Sequence, residues 1–436
     1  ICEGLVGSEM CIRDRSMNAQ KCSDKNLDIV VFGATSFVGK LVCQYLAAQY
    51  GVDGQGAGRT VERMKWGIAG RSRRKLNDLL KTLGAGAEQL PVIIADAAAE
   101  SDLHRLCGQS RVIISTVGPY ALHGSPLVKV CVETGTDYCD LAGEPQWIHQ
   151  MIRRYENTAK NSGSRIVHSC GFDSIPSDMG TWFLQQQSVR EHGETCAVVC
   201  MRVQTSKGGI SGGTIASLLN LWKEEAKDPE LQELMADSYS NCPADTVRNS
   251  EQRSISRAER DSNTQGWIGP FAMAPINERM VLRSNALAPY HTDFSYNEAV
   301  VTGAGFAGAF GARALAAAGR IGSFALRFPS LIRLLENNVL PKSGEGPSPK
   351  AQAEGFFDLR FFGSTGSGRK VAVKVTGQGD PGYASTAKML SQAAVSLALD
   401  IPKAEKAGGF WTTATVFDGR LIERLEKYAE MKFEQL

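Results

Sequence analysis

The residues of this chain that most directly imply chemistry are Gly33, Ala34, Thr35, Ser36, Phe37, Val38 and Gly39. They follow the apolar run Leu27-Asp28-Ile29-Val30-Val31-Phe32 and precede Leu41, Val42, Tyr45 and Leu46, which with Val38 keep the spacing of one helix face. A strand, a turn of small residues and a helix start in succession bring backbone N–H groups and the positive end of a helix dipole to one point. A pyrophosphate fits there. Ser36 stands where glycine is common, but serine is small enough for close approach and adds a hydroxyl donor. A glycine turn in an unrelated α/β unit is the competing reading, and the turn alone does not separate the two.

A second group of residues bears on which dinucleotide is bound. Trp66-Gly67-Ile68-Ala69 predicts a short buried strand, and Gly70-Arg71-Ser72-Arg73-Arg74 follows it. NAD enzymes place an acid at this strand tip to hold the ribose hydroxyls, and here the first acid is Asp78. Arg71 and Ser72 instead suit a 2′-phosphate, because a guanidinium fork matches phosphate and stacks on adenine. Arg73, Arg74 and Lys75 read equally well as the solvated start of the next helix. The expected cofactor is therefore NADP. Asp96, at the end of a third strand, is expected to face the adenine. Thr116, Val117, Gly118 and Pro119, at the tip of a fourth, are expected beside the nicotinamide.

Reduction also needs a proton donor within hydrogen-bond reach. Tyr120, His123 and Asp173 are the candidates by position. Tyr120 offers a phenol. His123 offers an imidazole, a group that by type titrates near neutrality. Asp173 offers a carboxyl that positions a water. Helix capping is the competing role for His123 and Asp173, and a solvent proton is a fourth option because the cofactor supplies the difficult step.

The elements that must position these groups read in order along the chain. Leu90–Ala95, Arg111–Val117, Asp137–Leu141 and Ser164–Ser169 continue the series of apolar strands between helical stretches. The predicted fold class is α/β, an N-terminal Rossmann-type doubly wound parallel sheet plus a second α+β domain with a mainly antiparallel sheet. The expected organisation is a leader over 1–23, an NADP-binding domain over 24–190, a substrate or dimerisation domain over 191–400, and a C-terminal segment over 401–436 packing back on the first domain. Residues 1–16 lack the basic and apolar regions of a signal peptide and read as an extension foreign to the rest.

In the second half, Thr195–Val203 predicts a strand leading to a glycine-serine turn over 208–214 and a helix from near Ile215. That turn is either a second anion or substrate contact or a hinge. Residues 228–270 read as polar surface. Phe357, Leu359 and Phe361, then Val371, Val373 and Val375, alternate on either side of Ser364-Thr365-Gly366-Ser367-Gly368, which predicts a hairpin with one wet face. The apolar segment 299–340 carries Arg313, Arg320, Arg327 and Arg333 about every seven residues, interrupted by Pro329 and glycines. Four arginines make it a poor transmembrane span. It reads either as a surface for a membrane or lipid droplet or as a buried helical pair at a dimer or domain interface.

Composition sets bounds. A chain of 436 residues suits two domains, and a net charge of +2 gives no case for nucleic acid. The eleven cysteines contain no CxxC pair and several occupy apolar positions, which suits a reducing, cytoplasmic setting. With no zinc-type spacing, no metal is expected.

The segments GATSFVG from Gly33, GRSRRKL from Gly70, STVGPYALHG from Ser115, DYCDLAGE from Asp137 and CGFDSIPSDMG from Cys170 together resemble the saccharopine dehydrogenase-like oxidoreductases. Within them the chain is similar to the branch of the trans-acting enoyl reductases, and the likeness runs from Asp28 to about Leu425. Trp411-Thr412-Thr413-Ala414-Thr415-Val416-Phe417-Asp418-Gly419 departs from the Thr-Pro-Ala-Met-Gly ending that the resemblance implies. The resemblance implies NADPH-dependent reduction as the chemistry. A lipid-like or thioester-bound enoyl compound is the first substrate class, and the chain is expected to be a homodimer. A saccharopine-type reaction on an amino acid would need a carboxylate-binding cluster, for which Lys207, Arg279 and Arg283 are the obvious suppliers. A non-catalytic NADP-binding protein on a lipid surface is the third class.

Overall fold

The computed structural model describes residues 25–52, 62–208, Ser217, Glu224, 228–325 and 346–436. The first sheet begins with β1 (Leu27–Phe32), whose backbone passes through Gly33 into α1 (Phe37–Tyr50). β2 (Trp66–Gly70) is buried throughout and leads into α2 (Arg73–Leu80). β3 (Val92–Ile94), β4 (Ser110–Ser115), β5 (Asp137–Asp140) and β6 (Arg165–Val167) follow. Between the last two runs α3 (Pro145–Ser162), with proline in its first turn, where a missing N–H costs nothing. After β6 comes α4 (Ile175–His192).

The second sheet starts with β7 (Cys196–Lys207) and takes in β8 (Glu259–Arg260) and β9 (Trp267–Gly269). Helix α5 (Ala274–Leu287) leads to β10 (Ser295–Gly303), which runs at once into α6 (Gly305–Ala325). The hairpin of β11 (Phe356–Thr365) and β12 (Lys370–Gln378) is followed by α7 (Thr386–Leu399). β13 (Gly409–Trp411), α8 (Thr413–Tyr428) and β14 (Met431–Gln435) end the chain.

The first sheet is parallel, in the order β3-β2-β1-β4-β5-β6-β13. Strand order reverses between β1 and β4, so the loops after these two strands diverge and leave a crevice at their carboxyl ends. The second sheet runs β14-β12-β11-β7-β10-β9-β8, antiparallel except for the β7–β10 pair. The chain is α/β, with a second sheet that is mainly antiparallel, as the sequence pattern implies.

Layers do not follow chain order. Helix α4 packs on β11 and β12 of the second sheet, and α7 returns to cover α1, β4 and β5 of the first. The C-terminal segment divides: β13 extends the first sheet beside β6 and β14 extends the second beside β12. Phe357 and Phe361 are buried on the hairpin's inner face, each contributing about 1.5–3 kcal/mol. Gly180 makes room for the second, since a Cβ there would lie 2.6 Å from Phe361 Cε2. Buried Asp178 on α4 ties three helices together, accepting from Ser284 Oγ (2.5 Å), Thr413 Oγ1 (2.8 Å) and the Ala414 N–H (2.8 Å).

The segment 299–340 is not one helix. Its first five residues close β10, α6 follows after Ala304, and 326–340, with Arg327 and Arg333, lie outside the described residues. Most of the glycine-serine turn after Gly208, with Ile215, also lies outside them.

Candidate functional site

The site forms where β1 and β4 separate. Gly33 has φ +82°, and a Cβ on it would lie 2.7 Å from Val117 Cγ2 and 2.8 Å from Thr116 Oγ1. A Cβ on Gly39 would run into the Gly33 carbonyl and lie 2.8 Å from Ser36 Oγ. Thr116 locks the two loops together by donating to the Gly33 carbonyl at 2.9 Å, and its hydroxyl is 3.0 Å from that of Ser36.

Ser36 caps α1, its Oγ accepting from the Gly39 N–H at 2.9 Å. Its oxygen thus serves the helix, and its hydroxyl also lies against that of Thr116. A serine at an N-cap satisfies the helix first. The Phe37 and Val38 N–H groups, in the first turn of α1, have no acceptor within the helix and head its dipole. The missing Cβ atoms, the close-set backbone and these N–H groups make a cradle that fits a dinucleotide's pyrophosphate.

On the next strand, Arg71 is exposed one residue beyond β2, and the Ala69 carbonyl of that strand accepts the Ala34 N–H at 3.2 Å. Ser72 caps α2 by accepting from the Lys75 N–H at 3.4 Å. Arg73, Arg74 and Lys75 are exposed, and Arg74 lies 3.9 Å from Asp78, as a solvated helix start would have it. Asp96 is half-buried, and its Oδ1 accepts from the Ala98 N–H at 2.9 Å.

Beyond the tips of β4 and β6 the three proposed donors occupy different settings. The Tyr120 hydroxyl is buried, donating to Ser115 O at 3.0 Å and accepting from the Leu141 N–H at 3.1 Å. Burial pushes its phenol well above the ordinary range. Tyr120 thus braces β4 to β5. His123 ends the short helix Tyr120–His123, is exposed, and does not cap the helix that follows. Asp173 is half-buried, its Oδ1 3.9 Å from where a Gly143 Cβ would stand. Ser174 holds the N-cap position of α4, so Asp173 is not its cap. Burial and the nearby Asp140 push the Asp173 carboxyl up to about 7.

Residues 29–167 match the model of the saccharopine dehydrogenase NADP binding domain. A Mycobacterium tuberculosis protein is 36% identical over 416 residues, 92% of this chain and 96% of its own length. The trans-acting enoyl reductase of Mycobacterium bovis is 34% identical over 414 residues, again 92% of this chain and 96% of its own. This chain belongs to the saccharopine dehydrogenase-like oxidoreductase family. The NAD-bound homospermidine synthase of Legionella pneumophila shares the fold, with a TM-score of 0.51 and 10% identity over 94% of this chain and 91% of that one.

For a saccharopine dehydrogenase-like oxidoreductase, three further site features escape sequence reading. Glu144 is fully buried, taking the Tyr120 N–H (2.8 Å) on Oε1, the Ala121 N–H (2.9 Å) on Oε2, and the Ser217 hydroxyl (2.8 Å) on Oε1. It thereby fixes the Gly118–Tyr120 corner, and burial raises its carboxyl. Asp140 is also buried, 2.7 Å from His168 Nδ1, and accepts the Ala142 and Ser169 N–H groups at 3.0 Å each. The signal for both was present: two acids in the otherwise apolar run from Tyr138 to Pro145.

The third feature is the segment from Asp380 to Thr386. Tyr383 sets its ring edge-on to Phe37, centroids 4.8 Å apart, and Thr386 Oγ1 accepts from the Phe172 N–H at 3.0 Å. This segment joins the nucleotide turn to the Asp173 loop.

The three cations suited to a substrate carboxylate are engaged elsewhere. Lys207 is exposed and 2.9 Å from Glu354. Arg279 is buried and donates to Met235 O (2.6 Å) and Ser240 Oγ (3.0 Å). Arg283 is buried and donates to Asn241 O (2.5 Å) and Phe410 O (2.6 Å). Among the described residues, Glu100, His104 and Glu133 form the one grouping with metal-ligand spacing, and the Lys129 ammonium lies against both carboxylates on the surface.

Proposed function

We propose that this oxidoreductase uses NADPH to reduce the carbon–carbon double bond of an enoyl substrate, lipid-like or thioester-bound. The Asp173 carboxyl, in the loop between β6 and α4 near Gly143 and held protonated to about pH 7, carries the reading. The trans-acting enoyl reductases that the chain resembles along nearly its whole length support it.

When bound, the nicotinamide cofactor supplies the hydride. The chain's own residues do the rest. The N–H groups at the start of α1 hold the diphosphate, and Gly33 and Gly39 let it approach. Arg71, with no partner among the described residues and no acid beside it on the β2 tip, takes the 2′-phosphate and so selects NADPH. Glu144 and the Tyr120 hydroxyl keep the 116–121 corner in place. Asp173 holds the proton that the substrate acquires as the second hydrogen, directly or through one water.

The saccharopine-type alternative loses its carboxylate cluster, since Lys207, Arg279 and Arg283 already have partners. The deciding assay follows NADPH oxidation spectrophotometrically with enoyl thioesters and, separately, with aminoadipate semialdehyde plus glutamate. Turnover on the first panel alone is expected. Turnover on the second alone overturns the proposal, as does NADPH binding with turnover on neither.

A further inference from the structure

We propose that α6 docks this protein on a membrane surface rich in anionic phospholipid. The helix is held to the second sheet by one narrow face. Ala309 and Ala312 are buried over β9 and β10, and Gly269 brings the backbones close, a Cβ there lying 3.2 Å from Ala312 O. At 100° per residue, the opposite face carries Phe306, Phe310, Ala314, Ala317 and Ile321. Phe306 is 84% exposed, Phe310 66% and Ile321 67%. Not one of these outward side chains can form a hydrogen bond.

Contiguous apolar faces of this kind mark interaction sites. Two observations select lipid as the occupant. Protein interfaces carry about one hydrogen bond per 100–200 Å², and this face has no side chain with which to make one, whereas acyl chains require none. The charge also fits. From Gly303 to Leu335 the sequence holds Arg313, Arg320, Arg327 and Arg333 and no aspartate or glutamate. Arg313 and Arg320 line one margin of the apolar face, the first packed over Trp267, 5.4 Å from its ring centroid. Aromatic side chains at the centre with cations at the edge are what an interfacial helix needs: rings in the acyl boundary, guanidinium groups among phosphates. The helix lies on the surface and does not cross, because no helix among the described residues is long and apolar enough to span a bilayer. The inference stands apart from the reductase reading, since α6 contributes nothing to the nucleotide cradle.

The test is co-sedimentation of the full chain with sucrose-loaded vesicles of phosphatidylcholine alone or mixed with phosphatidylglycerol. The unaltered protein is expected to pellet with the mixed vesicles at low salt, about tenfold or more better than with phosphatidylcholine alone, the factor that two arginines confer beside an anionic surface. The exposed pair change Phe306→Ser with Phe310→Ser should leave the protein in the supernatant at an unchanged melting temperature, and Arg320→Gln should weaken binding and make it more salt-sensitive. The proposal is overturned if the unaltered protein stays in the supernatant with both vesicles, or if the serine variant pellets as well as the original. It is equally overturned if light scattering shows a dimer that the serine variant dissolves and vesicles bind neither form.

Discussion

Asp173 and Arg71 carry the two residue-level claims. Asp173→Asn keeps the shape of the side chain and removes its proton. It should lower kcat about 10²–10⁴-fold, the range of general acid catalysis, with a much smaller change in KM. In the unaltered enzyme the acid form is required, so kcat should fall as pH rises through about 7, and the asparagine variant should lose that limb. Arg71→Ala should weaken NADPH about tenfold or more, as loss of charge-assisted hydrogen bonds implies, and leave NADH nearly unchanged in the same titration. Equal losses for both coenzymes would remove Arg71 from the phosphate site. Which of these roles was legible depended on where the partner atoms lie. Gly33 and Gly39 act by lacking a Cβ, a property the letter itself carries. Tyr120 does not show its role, because its two hydrogen-bond partners, Ser115 O at the end of β4 and the Leu141 N–H just past β5, are far from each other in sequence. Ser36 is similar: a serine at a helix start can cap with its oxygen and donate with its hydroxyl, and only the structure shows the Gly39 N–H on its Oγ.

At the scale of elements, short runs centred on apolar residues identified the six N-terminal strands of the first sheet, and the alternation around Ser364–Gly368 identified the hairpin. These are local patterns, set by whether one or both faces of a strand are buried. The pairing of β13 with β6, and of β14 with β12, depends on contacts across the chain and left no local trace. Packing makes its own demands of single residues. Gly180→Ala would drive a methyl into the Phe361 ring, and overpacking of this kind costs about 1–3 kcal/mol. A lowered denaturant midpoint, with the cofactor site still able to bind, is the expected result. An unchanged midpoint would mean that Phe361 has room to move aside.

Across the whole molecule, buried acids link stability to pH. Burial raises Glu278 and Glu298 to about 7, as it does Asp173. Glu298 is fully buried between the Tyr296 hydroxyl (2.6 Å) and Asn277 Nδ2 (2.9 Å). The folded state therefore binds more protons than the unfolded chain, whose carboxyls titrate near 4. Stability from these groups is complete below about 4 and is lost as pH rises through 7. The melting temperature should accordingly drop between about pH 5 and pH 8, and Glu298→Gln should flatten the drop. A melting temperature that climbs steadily over that interval would show that these carboxyls are ionised in the fold. The two sheets and the crevice serve one claim, that a nicotinamide dinucleotide lies across β1 and β4 with its diphosphate at the start of α1. Isothermal titration calorimetry with NADPH, on the folded unaltered protein and on Gly39→Val, tests this most directly. Saturable binding to the first and none to the second is the expected result; no binding to the unaltered protein, or equal binding to both, would contradict it.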